Sequence, residues 1–169
     1  MQITIQGKEE QLYGNPPVNG DKLPKFKLED SEGNKVKTAD LLGKVTLIST
    51  IPDINTSVCS IETRKFNQEA DHYSDAQFLA VSNNTVEQQK DWCAAEGVEN
   101  IKMLSDEQLS LGYAMGVYLP NFGALARTIF IVDKVGTIVY RQIVDELTDE
   151  PDYAKALEAL NKIANRIDD

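Results

Sequence analysis

Cys59 closes the segment Ile51-Pro52-Asp53-Ile54-Asn55-Thr56-Ser57-Val58-Cys59, and its place there decides what its thiol can do. Residues 45–50 (VTLIST) are β-rich, and Pro52 ends the run because proline cannot continue an interior ladder. Residues 56–73 hold no Pro or Gly and carry a loose apolar stripe at Val58, Ile61, Phe66, Ala70 and Tyr73, which predicts a helix of about four to five turns. The thiol then sits in the first turn of a helix directly after a central strand. The unpaired amides and positive dipole end of a helix N-terminus favour thiolate, and thiolate is the nucleophile. The carboxyl edge of an α/β sheet is also where ligands bind. Taken alone, the pattern leaves a second role open, since free cysteine often packs as a small buried hydrophobe.

Composition narrows the chemistry. The 169 residues are 41% hydrophobic and 26% charged, which suits one domain, residues 1–169, with a sizeable core. Seventeen Lys and Arg against 27 Asp and Glu give a net charge of −10 with no basic block. Nucleic acids and anionic membranes need a cationic footprint, so neither is an expected partner. One histidine, His72, and two cysteines, Cys59 and Cys93, are too few for the usual transition-metal sites, and no cofactor is expected. No apolar run approaches the ~20 residues that span a bilayer, and the start, MQITIQGK, lacks the basic-then-apolar pattern of a signal peptide. A cytoplasmic location follows as the expectation, and in a reducing cytosol two cysteines are either inert core fillers or redox-active.

The elements that must position Cys59 read as an α/β domain with a mixed sheet and helices on both faces. Short alternating runs at residues 3–6, 26–29 and around Val36 surround turn signals, among them Ser31-Glu32-Gly33-Asn34, and an N-terminal β-hairpin extension is expected. Residues 78–82 (FLAVS) make the next strand, and strand, helix, strand in that order implies a right-handed crossover and a parallel pair. Thr85 and Gln88 have capping-box spacing and open a helix that carries Trp92 and Cys93 and stops at Gly97. A short strand at 101–104, helical turns over 106–115 and an apolar loop at 116–123 follow. Residues 128–133 and 137–142 flank Lys134-Val135-Gly136 as an antiparallel hairpin. Pro151 opens a last helix whose apolar stripe runs from Tyr153 to Ile167.

Pro52, Thr56 and Cys59 form Pro-x-x-x-Thr-x-x-Cys, the active-site signature of peroxiredoxins, and the likeness extends over almost the whole chain. Gly14-Asn15-Pro16, residues 20–26 (GDKLPKF), Gly43-Lys44, residues 63–67 (TRKFN), Leu125-Ala126-Arg127 and residues 150–153 (EPDY) resemble the thiol peroxidase branch, atypical two-cysteine enzymes with a thioredoxin-like fold. Two departures flank the nucleophile: Asp53 stands where the family usually has Ser, and Asn55 where it usually has Asp. A negative charge at Asp53 opposes a thiolate unless it points to solvent or pairs with a cation such as Arg64.

The resemblance implies a division of labour. Cys59 attacks the peroxide, Pro52 shields the sulfur, and Thr56 and Arg127 hold thiolate and peroxide, Arg127 with a forked, always charged guanidinium. The resulting Cys59 sulfenic acid condenses with a resolving thiol, which the resemblance places at Cys93, 34 residues on, as an intramolecular disulfide. Bridging needs Cα atoms within roughly 7 Å, so rearrangement around Cys93 is expected, and Trp92 beside it either reports that movement or simply packs its helix. Arg64 reads as a second site cation or as a solvated helix charge, and His72 as a surface or capping residue. Tyr118, Leu119, Pro120 and Phe122 could line an alkyl groove or a dimer contact. Implied with the family are hydrogen peroxide and organic hydroperoxides as substrates, thioredoxin as reductant and a homodimer. The competing classes are a redox sensor without turnover and a peroxidase in which Cys93 is inert.

Overall fold

A computed structural model describes residues 1–167. Seven strands form the central sheet in the order Ile138–Ile143, Thr128–Val132, Val45–Thr50, Ala76–Ser82, Lys102–Ser105, Lys27–Glu29 and Lys35–Lys37. At its centre β5 (Val45–Thr50) and β6 (Ala76–Ser82) run parallel, as do β6 and β7 (Lys102–Ser105). Antiparallel strands complete both sides: β10 (Thr128–Val132) and β11 (Ile138–Ile143) beside β5, and β3 (Lys27–Glu29) and β4 (Lys35–Lys37) beyond β7. The mixed sheet and the parallel crossover thus agree with the sequence. A separate hairpin pairs β1 (Gln2–Ile5) with β2 (Lys8–Gln11) through Gln6-Gly7, both at positive φ (50° and 82°), the geometry a two-residue turn needs to match strand twist.

Strand alternation sorts the core into two layers. Leu47, Phe78, Ala80, Ile129 and Ile131 face one side, where they meet Cys59 and Phe66 of α2 (Ser57–Ala70), Trp92 of α3 (Val86–Glu96) and Ala156 and Leu160 of α5 (Tyr153–Asn161). Ile48, Leu79, Val81, Phe130 and Val132 face the other side, against Leu41 of α1 (Thr38–Leu41) and Leu111 of α4 (Ser110–Ala114). Thr85 and Gln88 make the expected capping box of α3, and Gly97 ends the helix in the left-handed conformation at φ 67°.

Three expectations need correction. The buried stripe of α2 is Cys59, Glu62, Thr63 and Phe66, whereas Ile61 is exposed, because Glu62, bonded by Ser49 and Arg127, and Thr63, which donates to the Cys59 carbonyl, occupy the inward face. The last helix stops at Asn161; Ile163 and Ala164 still pack on the core from the turn beyond it, and Ile167 is exposed. The loop at 116–123 folds back as a small hairpin of β8 (Tyr118–Leu119) and β9 (Ala124–Leu125).

Asp106 gives the fold a pH dependence of defined sign. Its side chain is buried and accepts hydrogen bonds from Leu111 N (2.9 Å) and Gly112 N (2.8 Å), fastening α4 to the end of β7. Burial outweighs those bonds and pushes its carboxyl up to about 6. The native state therefore holds this proton more tightly than the unfolded chain, and stability contributed by Asp106 is complete below about pH 4 and lost as pH rises to about 6, by roughly 3 kcal/mol. Urea midpoints of the wild type minus those of Asp106→Asn should fall across that window. A flat difference would refute the assignment.

Candidate active site

The site is built at the carboxyl end of β5. Alternation aims Ser49 at α2, and after Ile51 the chain turns through Pro52 and Asp53. Asp53 organises the turn: its carbonyl accepts from Thr56 N (3.1 Å) and Thr56 Oγ1 (2.8 Å), and its carboxylate from Asn55 N (3.0 Å) and Asn84 Nδ2 (3.1 Å). Helix α2 then begins with no side chain capping it. Its first intrahelical bond is Ser60 N to Thr56 O, so the N–H groups of residues 57–59 form the positive end in which Cys59 lies.

Cys59 is completely buried, and its Sγ accepts a hydrogen bond from Arg127 Nη1 at 3.3 Å. The same Nη1 donates to Glu62 Oε1 at 3.0 Å, and Arg127 Nε donates to the Leu147 carbonyl at 3.0 Å. Ser49 Oγ donates to the other carboxylate oxygen of Glu62. This is a buried ion pair, with Arg127 2% and Glu62 0% exposed. Burial pushes the Glu62 carboxyl above its usual range, with Arg127 and Ser49 opposing the shift. For Arg127 burial works against the charge, but electrostatic attraction and hydrogen bonds to Cys59 and Glu62 outweigh it and hold the guanidinium above its ordinary value. A permanently charged donor thus touches the sulfur, the arrangement a thiol nucleophile needs if charge is to develop on a departing oxygen.

Residues 19–141 match the AhpC/TSA family. Over 162 residues the chain is 43% identical to a thiol peroxidase of Listeria monocytogenes, covering 95% of this chain and 98% of that protein. A thiol peroxidase of Bacillus subtilis is 38% identical over 159 residues, with 94% and 95% covered. The chain belongs to the AhpC/TSA family. It is a peroxiredoxin-type peroxidase, and its fold agrees: a peroxiredoxin-like protein from Aquifex aeolicus superposes with a TM-score of 0.88 at 27% identity over 95% of this chain and 96% of that one. A thiol peroxidase from Chromobacterium violaceum superposes with a TM-score of 0.87 at 17% identity, covering 96% of both chains.

Within this peroxiredoxin frame the residues expected from sequence fall into two groups. Pro52, Thr56 and Arg127 line one cavity of about 620 Å³ at the Cys59 end of α2. Thr56 Oγ1 spends its proton on Asp53 O rather than on the sulfur, which leaves it acceptor capacity. Cys93 lies elsewhere, half-buried in the last turn of α3, and opens on a different cavity with Asp30, Val98 and Met103. Both thiols are free, and burial raises that of Cys93. Arg64 is not a site cation: it pairs with Glu96 at 3.1 Å on the surface. Asp53 accordingly has no pairing with Arg64; its carboxylate is engaged by Asn55 and Asn84 instead. His72 is remote, its backbone carbonyl accepting from Ile167 N, and Trp92 is packed in the core. Of Tyr118, Leu119, Pro120 and Phe122 it is Phe122 that lines the cavity, with Gly123 and Ala124 beside it; Leu119 is core, and Tyr118 packs on Tyr113.

Sequence reasoning missed Glu62 and Ser49. Glu62 follows Cys59 by three residues, one helical turn, so any helix that buries Cys59 turns Glu62 inward as well. A search for acid at that spacing, instead of for apolar periodicity, finds it.

Proposed function

We propose that this peroxiredoxin reduces hydrogen peroxide and organic hydroperoxides through Cys59, with Cys93 as the resolving thiol. The observation that carries the reading is the single Arg127 nitrogen bonded to Cys59 Sγ at 3.3 Å and Glu62 at 3.0 Å. The Cys59 thiolate attacks the nearer peroxide oxygen, the O–O bond breaks, and its electron pair leaves on hydroxide or alkoxide, which takes a proton to become water or alcohol. Arg127 and the amides of residues 57–59 stabilise that charge, while Thr56 Oγ1 accepts the hydrogen bond of the peroxide hydroxyl. Cys59 is left as a sulfenic acid; the Cys93 thiol displaces its oxygen as water and forms a disulfide. A thioredoxin dithiol then reduces the bridge by exchange. Cys59 is completely buried, while Cys93 opens on a cavity that none of Pro52, Thr56 and Arg127 lines, which supports a local rearrangement before bridging. The cavity wall of Ile5, Phe122 and Leu147 suits an alkyl substituent. We further propose that the enzyme works in the cytoplasm as a homodimer; among the described residues no helix is long and apolar enough to cross a membrane.

Peroxide-dependent NADPH oxidation with thioredoxin and its reductase tests the cycle. Cys59→Ser should abolish turnover. Cys93→Ser should give one rapid oxidation and then stop, without the slow Trp92 fluorescence change that accompanies bridging. Retention of that change in Cys93→Ser would remove Cys93 from the mechanism, and sustained turnover by Cys59→Ser would remove Cys59.

A further inference from the structure

Glu146 has no part in the proposed chemistry, yet it gathers more hydrogen bonds than any side chain around the site. Its Oε1 accepts from Thr4 Oγ1 (2.9 Å) and Gly7 N (2.9 Å), and its Oε2 from Gln6 N (3.1 Å), Thr148 N (3.0 Å) and Thr148 Oγ1 (2.8 Å). These donors hold the carboxyl down at about 2, so it stays ionised. Two of the donors are the amides of the β1-β2 turn. Gln6 is held there at φ 50°, a region non-glycine residues rarely adopt, and the carboxylate supplies the compensating bonds.

Backbone contacts fix the same junction. Thr4 N donates to Asp145 O at 2.7 Å and Leu147 N to Thr4 O at 2.8 Å, so the segment 145–147 runs along β1 like an added strand. The next group in this chain is the Leu147 carbonyl, the acceptor for Arg127 Nε. Ile5 and Gln6 on one side of the junction and Leu147 and Thr148 on the other wall the cavity that Arg127 lines. The hairpin is outside the central sheet, and Glu146 is the side chain that joins its turn to the site.

We propose that Glu146 is a positioning residue for the peroxidase reaction: it clamps the β1-β2 turn to the segment 146–148 and thereby holds the Leu147 carbonyl that orients Arg127 toward Cys59. This rests on the Cys59 and Arg127 reading above. Misplacing a catalytic group by about 1 Å costs up to about a hundredfold in rate. Releasing the clamp acts at second hand and should cost about tenfold.

The test is stopped-flow oxidation of Cys59 by hydrogen peroxide in a Cys93→Ser background, where only the first chemical step is read. Glu146→Ala should slow that step about tenfold, and Glu146→Gln, which keeps acceptor capacity on one oxygen, should recover most of the loss. A simple loss of stability would shift the urea midpoint without this rescue of rate. Thr4→Val, which keeps shape and removes one donor to Glu146, should give a smaller slowing and covers the case in which Glu146→Ala does not fold. Wild-type rates in folded Glu146→Ala, or in Thr4→Val if the former does not fold, would overturn the clamp. A parent protein that does not react with peroxide would instead overturn the peroxidase reading itself.

Discussion

Arg127→Met should slow the oxidation of Cys59 by peroxide by about a hundred- to a thousandfold, the loss that follows removal of one pre-aimed donor to a developing oxyanion. Methionine fills much of the arginine volume, and because it also leaves Glu62 and Leu147 O without their donor, the rate is read on protein shown by urea denaturation to be folded. The effect has two sources. The thiolate loses the 3.3 Å bond from Nη1, and the departing oxygen loses its cation. Arg127→Lys is expected to stay far below the wild type, because an ammonium cannot bond Leu147 O through one nitrogen while a second reaches Cys59 and Glu62. The measurement is the second-order rate in single turnover, with ultraviolet thiolate absorbance recorded at neutral pH. Rates within about threefold of the wild type in Arg127→Met would take this residue out of the transition state.

Glu62→Ala should destabilise the protein by roughly 3–5 kcal/mol, since it leaves the Arg127 charge buried with its carboxylate removed. It also frees Ser49 Oγ, which now donates to Glu62. Glu62→Gln behaves differently. An amide oxygen accepts from Nη1, the amide nitrogen can donate to the Ser49 hydroxyl, and the neutral side chain no longer shares the guanidinium charge with Cys59. Its stability cost should be about 1–2 kcal/mol, and peroxide oxidation should remain within a few fold of the wild type. Urea denaturation beside single-turnover rates separates the outcomes. If Glu62→Ala were as stable as the wild type, the pair would carry no structural weight; if Glu62→Gln lost the rate as completely as Arg127→Met, the carboxylate charge itself would be part of the chemistry.

How far the sequence led differs between backbone and site. The β5-loop-α2 unit was readable because Pro52 stops one element and a stretch free of Pro and Gly, residues 56–73, begins another. The α3 boundaries were readable because Thr85, Gln88 and Gly97 each satisfy a specific backbone group. The inward face of α2 was not. Apolar periodicity assigns Val58 and Ile61 to the core, but tertiary bonds from Arg127 and Ser49 make a buried Glu62 tolerable, and no local pattern encodes partners 65 and 13 residues away. The end of α5 was overdrawn for a similar reason, since Ile163 and Ala164 meet the core from outside a helix just as they would from inside one. Family likeness pointed to Arg127 but gave no account of what holds it, and its tether at Leu147 O is a backbone atom that side-chain identity does not reveal.

That tether, with Glu62 as its second point, separates the fate of the cation from that of the sulfur. Once the thiolate has become a neutral sulfenic acid, its attraction for Arg127 falls, while the bonds to Leu147 O and Glu62 are untouched. On the proposed cycle, opening of the first turn of α2, which no side chain caps where Cys59 sits, would leave the guanidinium held in the core by both of those partners. The charge geometry that meets the next peroxide is therefore set by groups that the oxidation of Cys59 does not alter.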